Sequence, residues 1–385
     1  MTANAHKDAP QSKVEVGKAE RTVFLHVGMH KTGTSALQTA LAGYDDGMIA
    51  YARFNEINHS LPIYTAFSTD PFSYRSWRER GLSRREVLAL RDRYRARFAA
   101  NLERRDRCGL IVVGEDIGKI DAAGQRDLIQ FITERGWSLR AFCYLRPPES
   151  FIASGLQERI KGGLDHVPEQ FEPNYRGRIE VFLQEIGAEN LSVRLYDRDQ
   201  LRNGSVIADF CDQLGIDPPR SYKQRPSNES LSLDAVRLIF ALNRSNPCTV
   251  GDPALVEARG ALCADLARLY PEGARLSPEL FVGRVNRGDL TYLADTFGLA
   301  LPSAPERADF ALEEILSDLE AVDPEPLALR VKAPLAVAND RVWLVNRLFA
   351  LHLWRADARR APIPEVLSVV LRAVREKLRR SPKTK

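Results

Sequence analysis

Four short, mostly apolar runs punctuate the first 217 residues: 22–25 (TVFL), 110–114 (LIVVG), 139–146 (LRAFCYLR) and 191–196 (LSVRLY). Their length and their Val, Ile, Phe and Tyr content predict strands covered on both sides. Helical patterns lie between them. One follows the first run, another ends at Arg135, a third extends from Pro148 to about Lys161, and a fourth covers 179–186. A fifth places Val206, Ile207, Phe210, Cys211 and Leu214 on one side, with Asn203 as its expected cap and Gly215 past its end. Alternation of strands and helices predicts an α/β fold, a three-layer sandwich around a central parallel sheet.

Residues 44–106 carry no strand signal and read as a helical insertion after the first strand. In its second half Ser83 and Glu86 form a capping box, and Val87, Leu90, Tyr94, Phe98 and Leu102 mark one helix face. An insertion there lies near the strands' carboxyl ends, where open α/β sheets bind ligands, so it is either a wall of the acceptor site or a structural cap. Residues 1–20 are polar and charged and read as a disordered tail; 21–298 form the main domain and 299–385 a helical C-terminal extension. The extension contains an acidic helix at 310–321, an apolar stretch at 342–354 and a terminal helix. In that helix Leu367, Leu371, Val374 and Leu378 share a face apart from Arg372, Arg375, Lys377 and Arg379. Such a helix docks on its own protein or rests on an anionic membrane surface.

The chemistry starts at residues 26–38, HVGMHKTGTSALQ, where the first strand passes into a helix through a glycine-containing loop. Backbone amides and the helix dipole stabilise an anion at such a place. A nucleoside triphosphate loop reads G-x-x-x-x-G-K-[ST]. Gly28 and Gly33 have that separation, but Thr34 takes the lysine's place and Lys31 precedes the second glycine by two. The loop suits phosphate and departs from the ATP layout.

Lys31, Thr32, Gly33, Thr34 and Ser35 match K-[ST]-G-[ST]-[ST], and here the chain resembles the sulfotransferase family, whose fold is of the P-loop type. A second match is Arg146 at a strand end with Ser154 eight residues later, the family's pair for the donor's 3′-phosphate. The run VRLYD, Val193 to Asp197, resembles the family's V-x-x-Y-[ED] strand, and RPSNESLS with the helices to about Gly298 resembles the extension of bacterial carbohydrate sulfotransferases. The R-K-G motif of the animal cytosolic enzymes is missing.

The resemblance implies 3′-phosphoadenosine 5′-phosphosulfate (PAPS) as donor and no metal. It makes Lys31 the group that offsets charge on the leaving oxygen, and assigns the 5′-phosphate to Thr32, Gly33, Thr34 and Ser35 and the 3′-phosphate to Arg146 and Ser154. The acceptor it implies is a saccharide or lipid-linked saccharide. An acceptor hydroxyl needs a base. Glu115, just beyond an apolar strand, is the candidate; His59 in the insertion is the alternative, and turn capping is the structural role open to Glu115. His30 beside Lys31 is read as shaping the loop, and spacing suggests no metal-ligand cluster among the six histidines.

Composition narrows the setting. Lys and Arg number 55 against 51 acidic residues, a balance of +4 that is too weak and too interspersed for a nucleic-acid partner. Cys108, Cys143, Cys211, Cys248 and Cys263 lack paired spacing and read as reduced thiols. No run of about 18 apolar residues occurs and the first 20 residues are polar, which predicts a cytoplasmic bacterial enzyme without a transmembrane segment. Two other classes stay open: a phosphate-loop kinase or nucleotide hydrolase, and a non-catalytic nucleotide-binding module.

Overall fold

The structure, a computed structural model, describes residues 20–104, 106–168, 173–219, 230–246, 252–302 and 312–360. Strands β1 (Thr22–His26), β2 (Ile49–Tyr51), β3 (Gly109–Val113), β4 (Ser138–Leu145) and β5 (Leu191–Leu195) form one sheet in the order β2-β3-β1-β4-β5, with every ladder parallel. β1 is central, and the loop that leaves it opens at the carboxyl edge between its two neighbours.

Alternate residues of these strands feed two different cores. Val23 and Leu25 of β1, with Leu110 and Val112 of β3, pack against α2 (Ser60–Phe67), α4 (Arg84–Leu102), α5 (Ala122–Thr133) and α7 (Tyr175–Ile186). Phe24, Ile111, Phe142 and Tyr144 face the other way, onto α1 (Thr34–Leu41) and α8 (Val206–Leu214). A strand buried on both faces has no polar side to show, which is why these segments read as apolar runs. The result is a three-layer α/β sandwich around a central parallel sheet, as its pattern predicts.

The long insertion helix is α4, and its capping box is present: Ser83 accepts from the Glu86 amide while Glu86 accepts from that of Ser83. Val87, Tyr94, Phe98 and Leu102 are buried on one face. The insertion is not free of strands, however. β2 lies within it and pairs with β3 at the sheet edge. Three residues, Ile49, Ala50 and Tyr51, are too few to display a period, so the sequence pattern hides them. A second correction concerns α8, whose cap is Ser205, accepting from the Ala208 amide; Asn203 instead takes φ 53° in the preceding turn. α7 begins at Tyr175, a turn before its apolar pattern, with Asn174 as cap and Asp289 accepting the Tyr175 amide at 2.7 Å.

α6 (Pro148–Lys161) starts on the prolines after β4 and stands between two cores. Phe151 reaches the sheet, whereas Ile152, Leu156 and Ile160 pack into a helical core built by α9 (Leu233–Ser245), α10 (Pro253–Leu269), α12 (Leu312–Ser317), α13 (Glu325–Val331) and α14 (Arg341–Arg360). Buried Asn243 of α9 donates to the carbonyls of Ile160 and Leu164, both at 2.7 Å, and closes the end of α6. Residues on both sides of 298 contribute to this core, which braces the helix that carries Ser154.

No helix of the described residues is long and apolar enough to cross a membrane. Cys108, Cys143, Cys211 and Cys263 are free thiols. The expected N-terminal tail, apart from Glu20, the terminal basic helix, Cys248 and most of the RPSNESLS stretch lie outside the described residues.

Candidate functional site

The loop after β1 leaves the sheet with two backbone positions in left-handed conformation, Lys31 at φ 63° and Gly33 at φ 82°. Gly33 is required there. A β-carbon would lie 2.6 Å from Val206 Cγ1 and 3.2 Å from the Tyr196 ring. Thr32 and Thr34 turn inward, and both hydroxyls donate to the Met29 carbonyl, at 2.6 and 3.4 Å. Their role in this geometry is to hold the turn. Ser35 is exposed in the first turn of α1. Among the described residues, the amides of residues 33–35 have no hydrogen-bond acceptor, and Gly33 caps α1 without a side chain. The loop thus presents open N–H groups at a helix N-terminus, the arrangement that holds phosphate.

Arg146 follows β4, beside β1. Its Nε donates to Ser150 Oγ at 2.7 Å, and among the described residues no carboxylate pairs with it. Burial pushes the guanidinium's pKa down, opposed by nearby Tyr196 and Tyr175. A half-buried cation without a counterion is a place where an anion binds. Tyr175 donates to the Arg146 carbonyl at 2.6 Å and fixes the strand end, while Tyr196 stands near both Arg146 and Gly33. Ser154 lies one turn beyond Ser150, and among the described residues no hydrogen bond joins it to Arg146. Ser150 is therefore a candidate that the eight-residue spacing does not reveal; its signal is the i, i+4 relation to Arg146.

Lys31 reaches across to α6, with Nζ 3.1 Å from Glu158 Oε1, a carboxylate it shares with Lys161 at 2.9 Å. Glu158 is one turn past Ser154, so α6 lines the same edge.

The loop after β3 supplies the acidic side. Glu115 Oε1 is 3.1 Å from His30 Nδ1, and Asp116 Oδ1 is 2.9 Å from His30 Nε2. Tyr74 donates to Asp116 Oδ2 at 2.7 Å, Lys119 Nζ lies 2.7 Å from Oδ1, and the Asp116 amide donates to Ser60 Oγ at 3.2 Å. Burial opposes a charge on His30, but hydrogen bonding and attraction from Asp116 and Glu115 outweigh it and push its pKa up to about 9. Asp116 shows the counterpart: burial works to raise its pKa, and His30 with Lys119 hold it far below the carboxylate range. Ligand atoms of His30, Glu115 and Asp116 all lie within 4.8 Å of one another, a cluster that spacing along the chain conceals. Lys119 Nζ stands against Asp116 and His30, so an ammonium already supplies positive charge at this point.

His59 is placed differently. It is fully buried against Tyr51 and Phe54, its Nδ1 accepts the Val113 amide at 3.1 Å, and burial pushes its pKa down to about 3. Its own amide donates to the Val113 carbonyl, also at 3.1 Å, so His59 ties the start of α2 to the end of β3.

No family model matches the chain. A curated relative, an uncharacterized protein of Archaeoglobus fulgidus, is 34% identical over 104 residues, 25% of this chain and 29% of that protein. The match therefore spans less than a third of the relative's length. Among solved structures, the sulfotransferase domain of the Synechococcus PCC 7002 olefin synthase aligns over 76% of this chain and all of that one, at 17% identity and TM-score 0.35. A sulfotransferase from Alicyclobacillus acidocaldarius covers 66% of this chain and 97% of its own, at 15% identity and TM-score 0.34. The sulfotransferase domain of the curacin biosynthetic pathway covers 74% of this chain and all of its own, at 15% identity and TM-score 0.31. At these TM-scores the likenesses carry no argument. Chemistry has to be argued from the side chains.

Proposed function

We propose that the chain is a sulfotransferase that moves the sulfuryl group of PAPS to a hydroxyl, or an amine, of a carbohydrate or glycolipid acceptor. The observation that carries this reading is a pair of open anion sites at one sheet edge: among the described residues, the amides of 33–35 lack acceptors and the Arg146 guanidinium lacks a counterion. A donor with phosphates at both its 5′ and 3′ positions needs two such sites. The loop takes the 5′-phosphate; Arg146, with Ser154 and the adjacent Ser150, takes the 3′-phosphate.

In the reaction the bond between sulfur and the bridging oxygen breaks, and its electron pair leaves with adenosine 3′,5′-bisphosphate. The acceptor oxygen forms the new bond to sulfur and gives its proton to Glu115. Lys31 offsets the charge growing on the departing phosphate, exchanging Glu158 for the donor as it does so. Positioning and charge compensation dominate, by analogy with phosphoryl transfer. The exposed charges of the insertion favour a saccharide over a flat apolar acceptor. A cytoplasmic setting belongs to the same reading. His59 has no exposed nitrogen with which to meet a substrate, which supports Glu115 as the base.

The test is transfer of radiolabelled sulfate from PAPS to a panel of oligosaccharides and lipid-linked saccharides. Wild-type protein transfers label, and Glu115→Gln is slower by about 10²–10⁴ while it stays folded. Equal rates for the two would remove Glu115 as the base.

A further inference from the structure

We infer that His30 is the positioning residue for Glu115, holding one carboxylate oxygen so that the other faces the acceptor, and tying the base to the lysine loop. This rests on the reading of Glu115 as base and extends it. The imidazole is gripped from behind by Asp116, itself fixed by Tyr74, Lys119 and the hydroxyl of Ser60. In front, Nδ1 meets Oε1 of Glu115 at 3.1 Å, and among the described residues Oε2 has no partner. One oxygen is thus held and one left for a proton. A base oriented by a second group, itself oriented by a third, is the logic of catalytic triads on unrelated folds.

The proton count follows from the same geometry. Nδ1 faces Glu115, whereas Nε2 is shared between Asp116 and the Lys119 ammonium. The two carboxylates outweigh burial and favour the protonated ring, so His30 does not itself accept the substrate's proton. The other charged or titratable groups around it are Lys31 on its own loop, Lys119 in the turn at 117–119, Tyr74 against Asp116, and Arg178 of α7, whose charge is felt by both carboxylates. None of these bridges Glu115 to the loop. Because Lys31 is the next residue, and is held at φ 63°, any shift of the imidazole moves the lysine and the base together.

The experiment uses the full chain as wild type, His30→Asn and Glu115→Gln, with melting curves for each. First, nitrogen-15 NMR without substrate follows the imidazole. His30 titrates near 9 in wild type, and its midpoint falls by about one unit or more in Glu115→Gln. Second, single-turnover transfer and calorimetry with adenosine 3′,5′-bisphosphate separate rate from binding. His30→Asn slows transfer about 10- to 100-fold, less than removal of the base, while bisphosphate affinity stays within about twofold. Third, the wild-type rate falls at alkaline pH with the same midpoint, and this limb is absent in His30→Asn. A His30 midpoint at the ordinary value with normal transfer overturns the positioning role alone. So does a His30→Asn protein that loses bisphosphate affinity in step with rate, because His30 would then be shaping the donor loop. A wild-type protein that neither binds the bisphosphate nor transfers label overturns the sulfotransferase reading, and the positioning role with it. If His30→Asn does not fold, His30→Gln, which keeps one donor, takes its place.

Discussion

Gly33→Ala tests whether the phosphate loop depends on one left-handed glycine. At φ 82° an alanine pays the left-handed penalty of about 1–2 kcal/mol. The added carbon also lies 2.6 Å from Val206 Cγ1, and Val206 is packed in the core under α8, so relief requires a shift that costs about 1–3 kcal/mol. Together these come to roughly 2–5 kcal/mol, which at about 2–4 °C per kcal/mol lowers Tm by several degrees. Because the loop must move away from Val206 and Tyr196, affinity for adenosine 3′,5′-bisphosphate falls at least about tenfold. Gly43→Ala is the control: φ is 75°, but no atom lies within 4 Å of its added carbon. It carries the backbone cost alone and leaves bisphosphate affinity intact. Thermal unfolding and calorimetry on both proteins decide the matter. A Gly33→Ala protein no less stable and no weaker in binding than Gly43→Ala would refute the argument.

Arg146→Ala weakens adenosine 3′,5′-bisphosphate by about 10- to 100-fold but scarcely alters adenosine 5′-phosphosulfate, which lacks the 3′-phosphate; calorimetry on both ligands checks this. Lys31→Ala leaves bisphosphate binding largely intact and lowers the single-turnover rate by about a hundredfold or more, since its charge matters most as the bridging oxygen departs. His59→Ala orphans the buried Val113 amide and costs about 1–3 kcal/mol in denaturant unfolding, while transfer per folded molecule stays near wild type. The His30 pair also sets a stability trend: a pKa raised from 6.5 to about 9 contributes fully below 6.5 and is lost as pH rises through 9, so denaturant midpoints fall across that interval in wild type and change less in His30→Asn.

Much of the fold is legible because burial on both faces leaves apolar runs. β1, β3, β4 and β5 stand where those runs stand, and α4 and α6 begin where a capping box and paired prolines mark their starts. β2 is hidden by its length: the apolar run from Met48 to Ala52 holds only three strand residues, too few to show a period. The cap of α8 is ambiguous in the sequence because Asn203 and Ser205 are both good capping types, and only the backbone tells which one enters the helix. In the site, the loop of residues 31–35 and Arg146 could be found from the chain because each is local in sequence. The His30, Glu115 and Asp116 cluster could not, since parallel neighbours β1 and β3 bring together residues that are far apart along the chain. His59 illustrates the converse. A histidine in a polar insertion suggests proton transfer, yet the fold spends it on the backbone of β3.

The central claim is that two open anion sites at one sheet edge receive a nucleotide with phosphates at both its 5′ and 3′ positions. Calorimetric titration of the wild-type chain with adenosine 3′,5′-bisphosphate, set beside ATP with magnesium under the same conditions, tests it most directly. The account expects tight binding of the bisphosphate without added metal, at least about tenfold tighter than ATP with magnesium, and loss of that preference in Arg146→Ala. Tight binding of ATP with magnesium and no detectable binding of the bisphosphate would contradict it and make the chain a phosphate-loop nucleotide enzyme of another kind.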